Sequence, residues 1–246
     1  MSPNHHGLLQ RAARRVVRKY AAAIGAQRVG SRVGRRPSRL DEWDAWSRYC
    51  HSMLTTQHLS TWKFWNELRG DGRWTAFLDG KGRPTDRTVA RLLGDYGVRH
   101  ADKKARCLMK AWRFNHQFAD LAGLMQDTLR SVHDAGAPPT TRRVAELVVA
   151  SRVQSVLAGC NVGPKVARLM LLWNPGTDQR DPASFCQVIP LDSKWQAELT
   201  ELGADLTSVN LNNEASYREV EDVLCEACFA AGVAPGLLDA HVFDSR

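Results

Sequence analysis

The sequence predicts an all-α protein of roughly ten helices, and three observations carry that expectation. Apolar residues recur at spacings of three and four over most of the chain, as they do on a helix with one buried face. Period-two alternation, the mark of a half-buried strand, is scarce. Breaks containing Gly or Pro fall at Gly70 to Arg73, Gly80 to Pro84, Ala135 to Thr141, Asn174 to Ala183 and Gly232 to Gly236, where helices would stop. At 43% apolar and 24% charged the composition is that of an ordinary folded chain. No apolar run reaches the roughly 18–20 residues that cross a bilayer.

The first element is basic. Residues 1–40 hold ten Lys and Arg and no acidic residue, which leaves 24 basic against 26 acidic side chains in residues 41–246, although the whole chain is +8. Leu8 to Ile24 places Leu9, Ala13, Val16, Val17 and Tyr20 along one face of an amphipathic helix, and residues 25–38, rich in Gly, Arg and Ser with Pro37, read as a linker. Arg14 and Arg15 on the polar face fit a strap that adds sequence-independent phosphate contacts; a solvated tail and an organelle-targeting peptide share this composition. The expected organisation is an arm and linker over 1–40 and one helical domain over 41–246.

Trp43, Trp46, Trp62 and Trp65 open that domain in an aromatic stretch running to about Leu68. Helical faces follow at Val89, Leu92 and Leu93, then Leu108, Trp112 and Phe118, then Val144, Leu147, Val148, Val156 and Leu157. Val166, Leu169, Met170 and Trp173 mark the next, and Tyr217, Val220, Leu224 and Cys228 a later one. The six cysteines are too sparse for a disulfide scaffold, and no apolar leader follows the first basic residues, so a reducing setting, cytoplasmic or nuclear, is expected, with organelle import as the alternative. Cys225 and Cys228 lie three apart on one helical face with no second pair, as buried small residues do.

The most informative segment is VQSVLAGCNVGPKVARLMLLW, residues 153–173. One helix ends near Ala158, a tight turn runs from Gly159 to Gly163, and a second helix starts at Pro164, where Pro fits the first helical position. Such a hairpin offers unpaired N–H groups at the positive end of a helix, a setting for a phosphate. Lys165 occupies the second helical position, where the macrodipole favours an acidic residue. An amine that sheds its proton there can attack an electrophilic carbon; pairing with a phosphate is the non-catalytic alternative. Downstream, VIPLDSKW at residues 188–195 sets Asp192 as the N-cap of a helix over Ser193 to Leu202. A carboxylate fixed by N–H groups there could also stabilise a developing oxocarbenium ion.

The hairpin with N-V-G-P-K followed by V-I-P-L-D resembles the helix-hairpin-helix DNA glycosylases, particularly the 8-oxoguanine glycosylase branch. MLTTQHLSTWKFWNEL at residues 53–68 is similar to the early family helix with a polar pair facing DNA, and YGVRHADKKARCLMK at residues 96–110 to the later segment in which a glycine precedes K-A-R. The resemblance spans about residues 45–200. It implies two helical subdomains with duplex DNA across the groove between them, Lys165 as the nucleophile that forms a Schiff base, and Asp192 as the essential carboxylate. It also implies Gln57 near the vacated base and backbone around Gly163, in the turn with Asn161, on a phosphate. Because the domain beyond the arm is near neutral, its grip on DNA is expected to come from those N–H groups and from a few local cations such as Lys103 and Lys104. The expected protein is a monomer acting on double-stranded DNA that contains a modified base. No divalent metal or organic cofactor is implied, while a monovalent cation at the hairpin is compatible with relatives.

The chain departs from the family pattern in three ways. Asn161 stands where many relatives have glycine, although Asn accepts left-handed backbone. Lys165 and Asp192 are 27 positions apart, with the added length in the loop Asn174 to Ser184. The C-terminal base-reading residues have no match, so the base stays open between an oxidised purine such as 8-oxoguanine and a hypermodified base of phage DNA such as a modified cytosine. Trp43, Trp46, His241 and Phe243 are candidates for stacking on an extruded base, each with a core role as the alternative. His58, His100, His116 and His241 show no metal-ligand spacing. A non-catalytic DNA-binding module is the reading from another class.

Overall fold

Helix starts in this chain are specified by short polar side chains. Asp41 accepts from the N–H groups of Trp43 and Asp44 while Asp44 returns a bond to Asp41, and Thr85 and Thr88 form the same reciprocal box. Asp71, Asp192 and Asn213 each cap a further helix. The computed structural model describes residues 3–30, 41–55, 67–68, 70–79, 81, 83–113, 116–134, 137–172 and 186–244; among these there are eleven helices and no strand. They are α1 (Pro3–Gly30), α2 (Glu42–Leu54), α3 (Gly72–Leu78), α4 (Asp86–Asp95), α5 (Ala101–Trp112), α6 (His116–Asp134), α7 (Pro139–Val156), α8 (Pro164–Leu172), α9 (Ser193–Glu201), α10 (Glu214–Ala230) and α11 (Pro235–Asp244). The chain is all-α, as its periodicity predicts.

Two hydrophobic cores divide these helices. The first gathers α2 to α8 around Trp46, Tyr49, Trp74, Leu93, Phe118 and Met125. Trp46 lies 5.2–5.6 Å, ring to ring, from Phe77, Trp112 and Phe118, which makes it a core residue. The second core is built from α1 and α9 to α11. Residues 186–192, outside any helix, lead from one to the other: Cys186 and Val188 belong to the first core, Ile189 and Leu191 to the second.

The N-terminal segment differs from the expected arm. The amphipathic helix is present but runs from Pro3 to Gly30, through part of the stretch read as linker. Leu9, Ala12, Ala13, Val16, Val17, Tyr20 and Ile24 are buried in the second core against α9, α10 and α11. Lys19 donates to the buried Glu198 of α9 at 2.6 Å. The division at residue 40 therefore does not follow the packing: α1 belongs to the body, and its apolar stripe, not its charge, decides where it sits.

A buried segment outside the helices has no regular backbone ladder, so most of its N–H groups turn to side chains. Gln187 N–H donates to Glu146 and Ile189 N–H to Glu221, while Leu191 N–H donates to the Tyr217 hydroxyl, which donates in turn to the Ile189 carbonyl. Pro190 has no N–H to satisfy. Arg143 of α7 donates to the Gln187 carbonyl and reaches Asp222 and Glu221 of α10. Arg168 of α8 holds Glu214 through two parallel bonds of 2.7 and 3.0 Å and also contacts Glu221. This buried network fastens the helices before and after the hairpin turn to the second core.

One member is not neutralised by a close cation. Burial pushes the Glu146 carboxyl up to about 8, opposed less strongly by the Gln187 N–H and by Arg143. Between about 4.5, its ordinary value, and about 8 the native state binds more protons at Glu146 than the unfolded chain, so this group's contribution lowers stability as pH rises through that window and is level above it. Glu146→Gln keeps an acceptor for Gln187 and removes the titration. Relative to the wild type, the variant is expected to gain roughly 1.4 kcal/mol per pH unit across the window. Urea unfolding at pH 5, 6.5 and 8 measures this; a stability difference that does not change with pH would exclude it.

Candidate functional site

The turn between α7 and α8 is shaped by two left-handed residues, Gly159 at φ 76° and Asn161 at φ 59°. Asn161 is exposed and takes the conformation that its side chain tolerates. At Gly159 a Cβ would come within 2.5 Å of Lys110 Nζ, which donates to the Gly159 carbonyl at 3.2 Å, so α5 closes over the turn. Gly163 opens α8: its carbonyl accepts from Ala167 N–H at 3.1 Å, and nothing lies within 4 Å of where its Cβ would be. With no side chain at that position and Pro164 next, the first N–H groups of α8 are approachable by an external acceptor.

Lys165 follows at the second position of α8. Its Nζ lies 3.4 Å from Oδ2 of Asp192, which is mostly buried, while the Lys165 side chain is about a third exposed. The other carboxylate oxygen of Asp192 accepts from Lys194 and Trp195 N–H at 2.8 and 3.2 Å, so one oxygen caps α9 and the other meets the amine. Asp192 is the last residue before α9, just after the chain enters the second core at Ile189 and Leu191. The pair thus joins α8, which packs in the first core, to the start of α9, which packs in the second, across 27 positions of sequence. Trp195, buried below, donates to Asp239 of α11 at 2.7 Å and sets the roll of α9.

Of the local cations, Lys103 is exposed and Lys104 is half-buried. Burial pushes the Lys104 amine down to about 8, and the neighbouring Lys165 ammonium adds to the effect. Arg14 and Arg15 are exposed on α1 with Arg11 and Arg18, opposite the buried stripe. Gln57, His58 and the loop Asn174 to Ser184 lie outside the described residues, and so does the side chain of Phe243. Trp43 is 43% exposed and packs on Trp112 at 6.0 Å, while His241 lies 6.5 Å from Tyr20. Cys225 and Cys228 are free thiols buried in α10, their ordinary values raised by that burial.

The arrangement places a primary amine and a carboxylate in contact, partly open to solvent, at the first turn of α8. Such a site can offer a nucleophile to an electrophilic carbon, a negative charge to a developing cation, and N–H donors to an anion nearby. Sequence reasoning missed the residues that hold it: Arg143, Glu146, Arg168, Glu214, Glu221 and Tyr217. Arg168 carried a partial signal, since it stands between Val166, Ala167 and the run Leu169 to Leu172, with Lys165 three positions earlier as its polar neighbour on that face. The chain matches no protein-family model, no curated protein and no solved structure.

Proposed function

We propose that this protein is a DNA glycosylase of the helix-hairpin-helix type that cleaves the N-glycosidic bond of a modified base, with an associated lyase step. The observation that carries the reading is the contact of Lys165 Nζ with Asp192 Oδ2 at the boundary of the two cores. On this reading Lys165 attacks C1′ of an extruded nucleotide, and the glycosidic bond breaks with its electrons on the departing base. The Asp192 carboxylate stabilises the cationic sugar. The resulting imine permits strand cleavage by elimination. The turn from Asn161 to Gly163 holds the adjoining phosphate, and duplex DNA lies across the groove between the two helical cores.

The first substrate class is an oxidised purine such as 8-oxoguanine; a hypermodified cytosine of phage DNA, excised in defence, is the second. The test is a panel of duplex oligonucleotides, each with one modified base, scored for base release and for a covalent complex trapped by borohydride. Release of one base with trapping supports the reading. Tight binding with no release from any duplex would favour a non-catalytic DNA-binding module.

The place of α1 changes how its contribution is tested. Deleting residues 1–38 would remove a helix from the second core, so lost affinity would be uninformative. Arg14→Gln with Arg15→Gln leaves the buried stripe intact. If both arginines contact phosphates, the slope of log affinity against log salt becomes shallower by about 2, at roughly 0.9 per contact. Equal slopes for variant and wild type, measured by fluorescence anisotropy, would remove α1 from the interface.

A further inference from the structure

Asp192 follows a tight turn that one side chain braces. Leu191 N–H donates to the Ile189 carbonyl at 3.0 Å, closing a three-residue turn around Pro190, whose ring fixes the backbone at its centre. The Tyr217 hydroxyl sits on both ends of that bond. It accepts from Leu191 N–H at 2.6 Å and donates to the Ile189 carbonyl at 2.9 Å. The next residue after Leu191 is Asp192, so the tether lies one residue from the backbone that carries the carboxylate.

The same side chain reaches the helix of the amine. The Arg168 guanidinium lies 4.8 Å over the Tyr217 ring, and Arg168 stands about one turn after Lys165 on α8. Four positions on from Tyr217, on the same face of α10, Glu221 repeats the pattern: it accepts from Ile189 N–H at 2.9 Å and from Arg168 Nη2 at 3.1 Å. α10 thus grips α8 and the turn before α9 together. We propose that Tyr217 is the positioning residue that sets the Asp192 carboxylate against the Lys165 amine. The inference rests on the reading of this pair as the reacting site.

Tyr217 acts from beneath the site. It is fully buried, and burial pushes its phenol well above the usual range, so the hydroxyl stays protonated and keeps donating to the Ile189 carbonyl. Beyond Asp192 the constraint is of another kind. Lys194 and Trp195 N–H hold one carboxylate oxygen and set it relative to its own helix, α9, whereas the turn held by Tyr217 sets it relative to α8. Tyr217→Phe separates position from charge, because it keeps the ring beneath Arg168 and removes the hydroxyl alone. The fold tolerates the loss: Leu191 N–H and the Ile189 carbonyl still bond to each other, and Glu221 still holds Ile189 N–H. What goes is the tether next to Asp192.

The experiment uses the full chain and a duplex with one abasic site, reading the rate of borohydride trapping against duplex concentration. The Lys165 ammonium and the C1′ aldehyde condense to a protonated imine and water, and borohydride reduces that imine to a stable amine. Circular dichroism fixes a temperature at which each variant is folded. Tyr217→Phe should lower the saturating rate by on the order of 10²-fold, the cost of misplacing a reacting group by about 1 Å, and leave the half-saturating duplex concentration unchanged. The deciding comparison is the same substitution in an Asp192→Asn background. A hydroxyl that acts through the Asp192 charge has little left to position there, so the further loss should be under about threefold. Losses of similar size in both backgrounds would show that the hydroxyl serves the fold as a whole. That result, wild-type trapping by Tyr217→Phe, or failure of that variant to fold each overturns the proposal alone. Absence of trapping by the wild type overturns the nucleophile reading and the proposal together.

Discussion

Lys165→Gln is expected to abolish the borohydride-trapped complex and to slow base excision by on the order of 10³-fold or more, while leaving the fold intact. The stability side follows from local structure. Glutamine at the second helical position removes a cation that the macrodipole opposes, and the partly exposed ion pair it gives up is worth little in water. Asp192 does not become an unsatisfied group, because Lys194 and Trp195 N–H still donate to it. The unfolding free energy should therefore change by about 0.5 kcal/mol at most. Asp192→Asn is the companion variant. Asparagine caps helices about as well as aspartate, so α9 keeps its start and only the charge is lost. Excision should fall while circular dichroism and the unfolding midpoint stay close to wild type. Full-rate excision by the Gln variant would remove Lys165 as nucleophile.

How much of this was legible in the sequence depends on whether a feature is local. The hairpin turn was readable because Gly159, Asn161 and Pro164 each carry a backbone preference in their own chemistry, and the cap at Asp192 was readable for the same reason. That Lys165 and Asp192 meet was not available from spacing, since the 27 residues between them include a loop of unspecified path; it was an expectation of resemblance alone. The docking of α1 was open because one amphipathic pattern serves a buried helix and a basic strap equally. Its signal was the length of the apolar stripe, about four turns from Leu9 to Ile24, with small Ala12 and Ala13 allowing close approach. The charge of the arm points towards DNA, although Lys19, half exposed, pairs with the buried Glu198 of the body. Lys103 and Lys104 are equivalent as local cations in the sequence, because a K-K-A-R run gives no hint of which lysine is half-buried.

The buried network was illegible because charged residues at helical spacing ordinarily face solvent, and its strongest test is Arg168. This guanidinium is fully buried, holds Glu214 with two bonds, contacts Glu221 and lies 4.8 Å over the Tyr217 ring. Arg168→Met preserves length and apolar volume but leaves Glu221 buried with Arg143 as its remaining close cation. Removing one partner of a buried pair strands the other charge, so the expected loss is about 3–5 kcal/mol. For a chain of this size that is roughly 6–20 °C in the unfolding midpoint. Arg168→Lys should lose less, since a single ammonium retains charge but cannot hold Glu214 through two parallel bonds. Adding Glu221→Gln to Arg168→Met should recover part of the loss by removing the stranded charge, a coupling that a double-mutant cycle reads directly. Because Glu221 also accepts from Ile189 N–H in the segment leading to Asp192, the Met variant should lose trapping even below its unfolding transition. A Met variant with wild-type stability would show that Arg168 does not hold the two cores together.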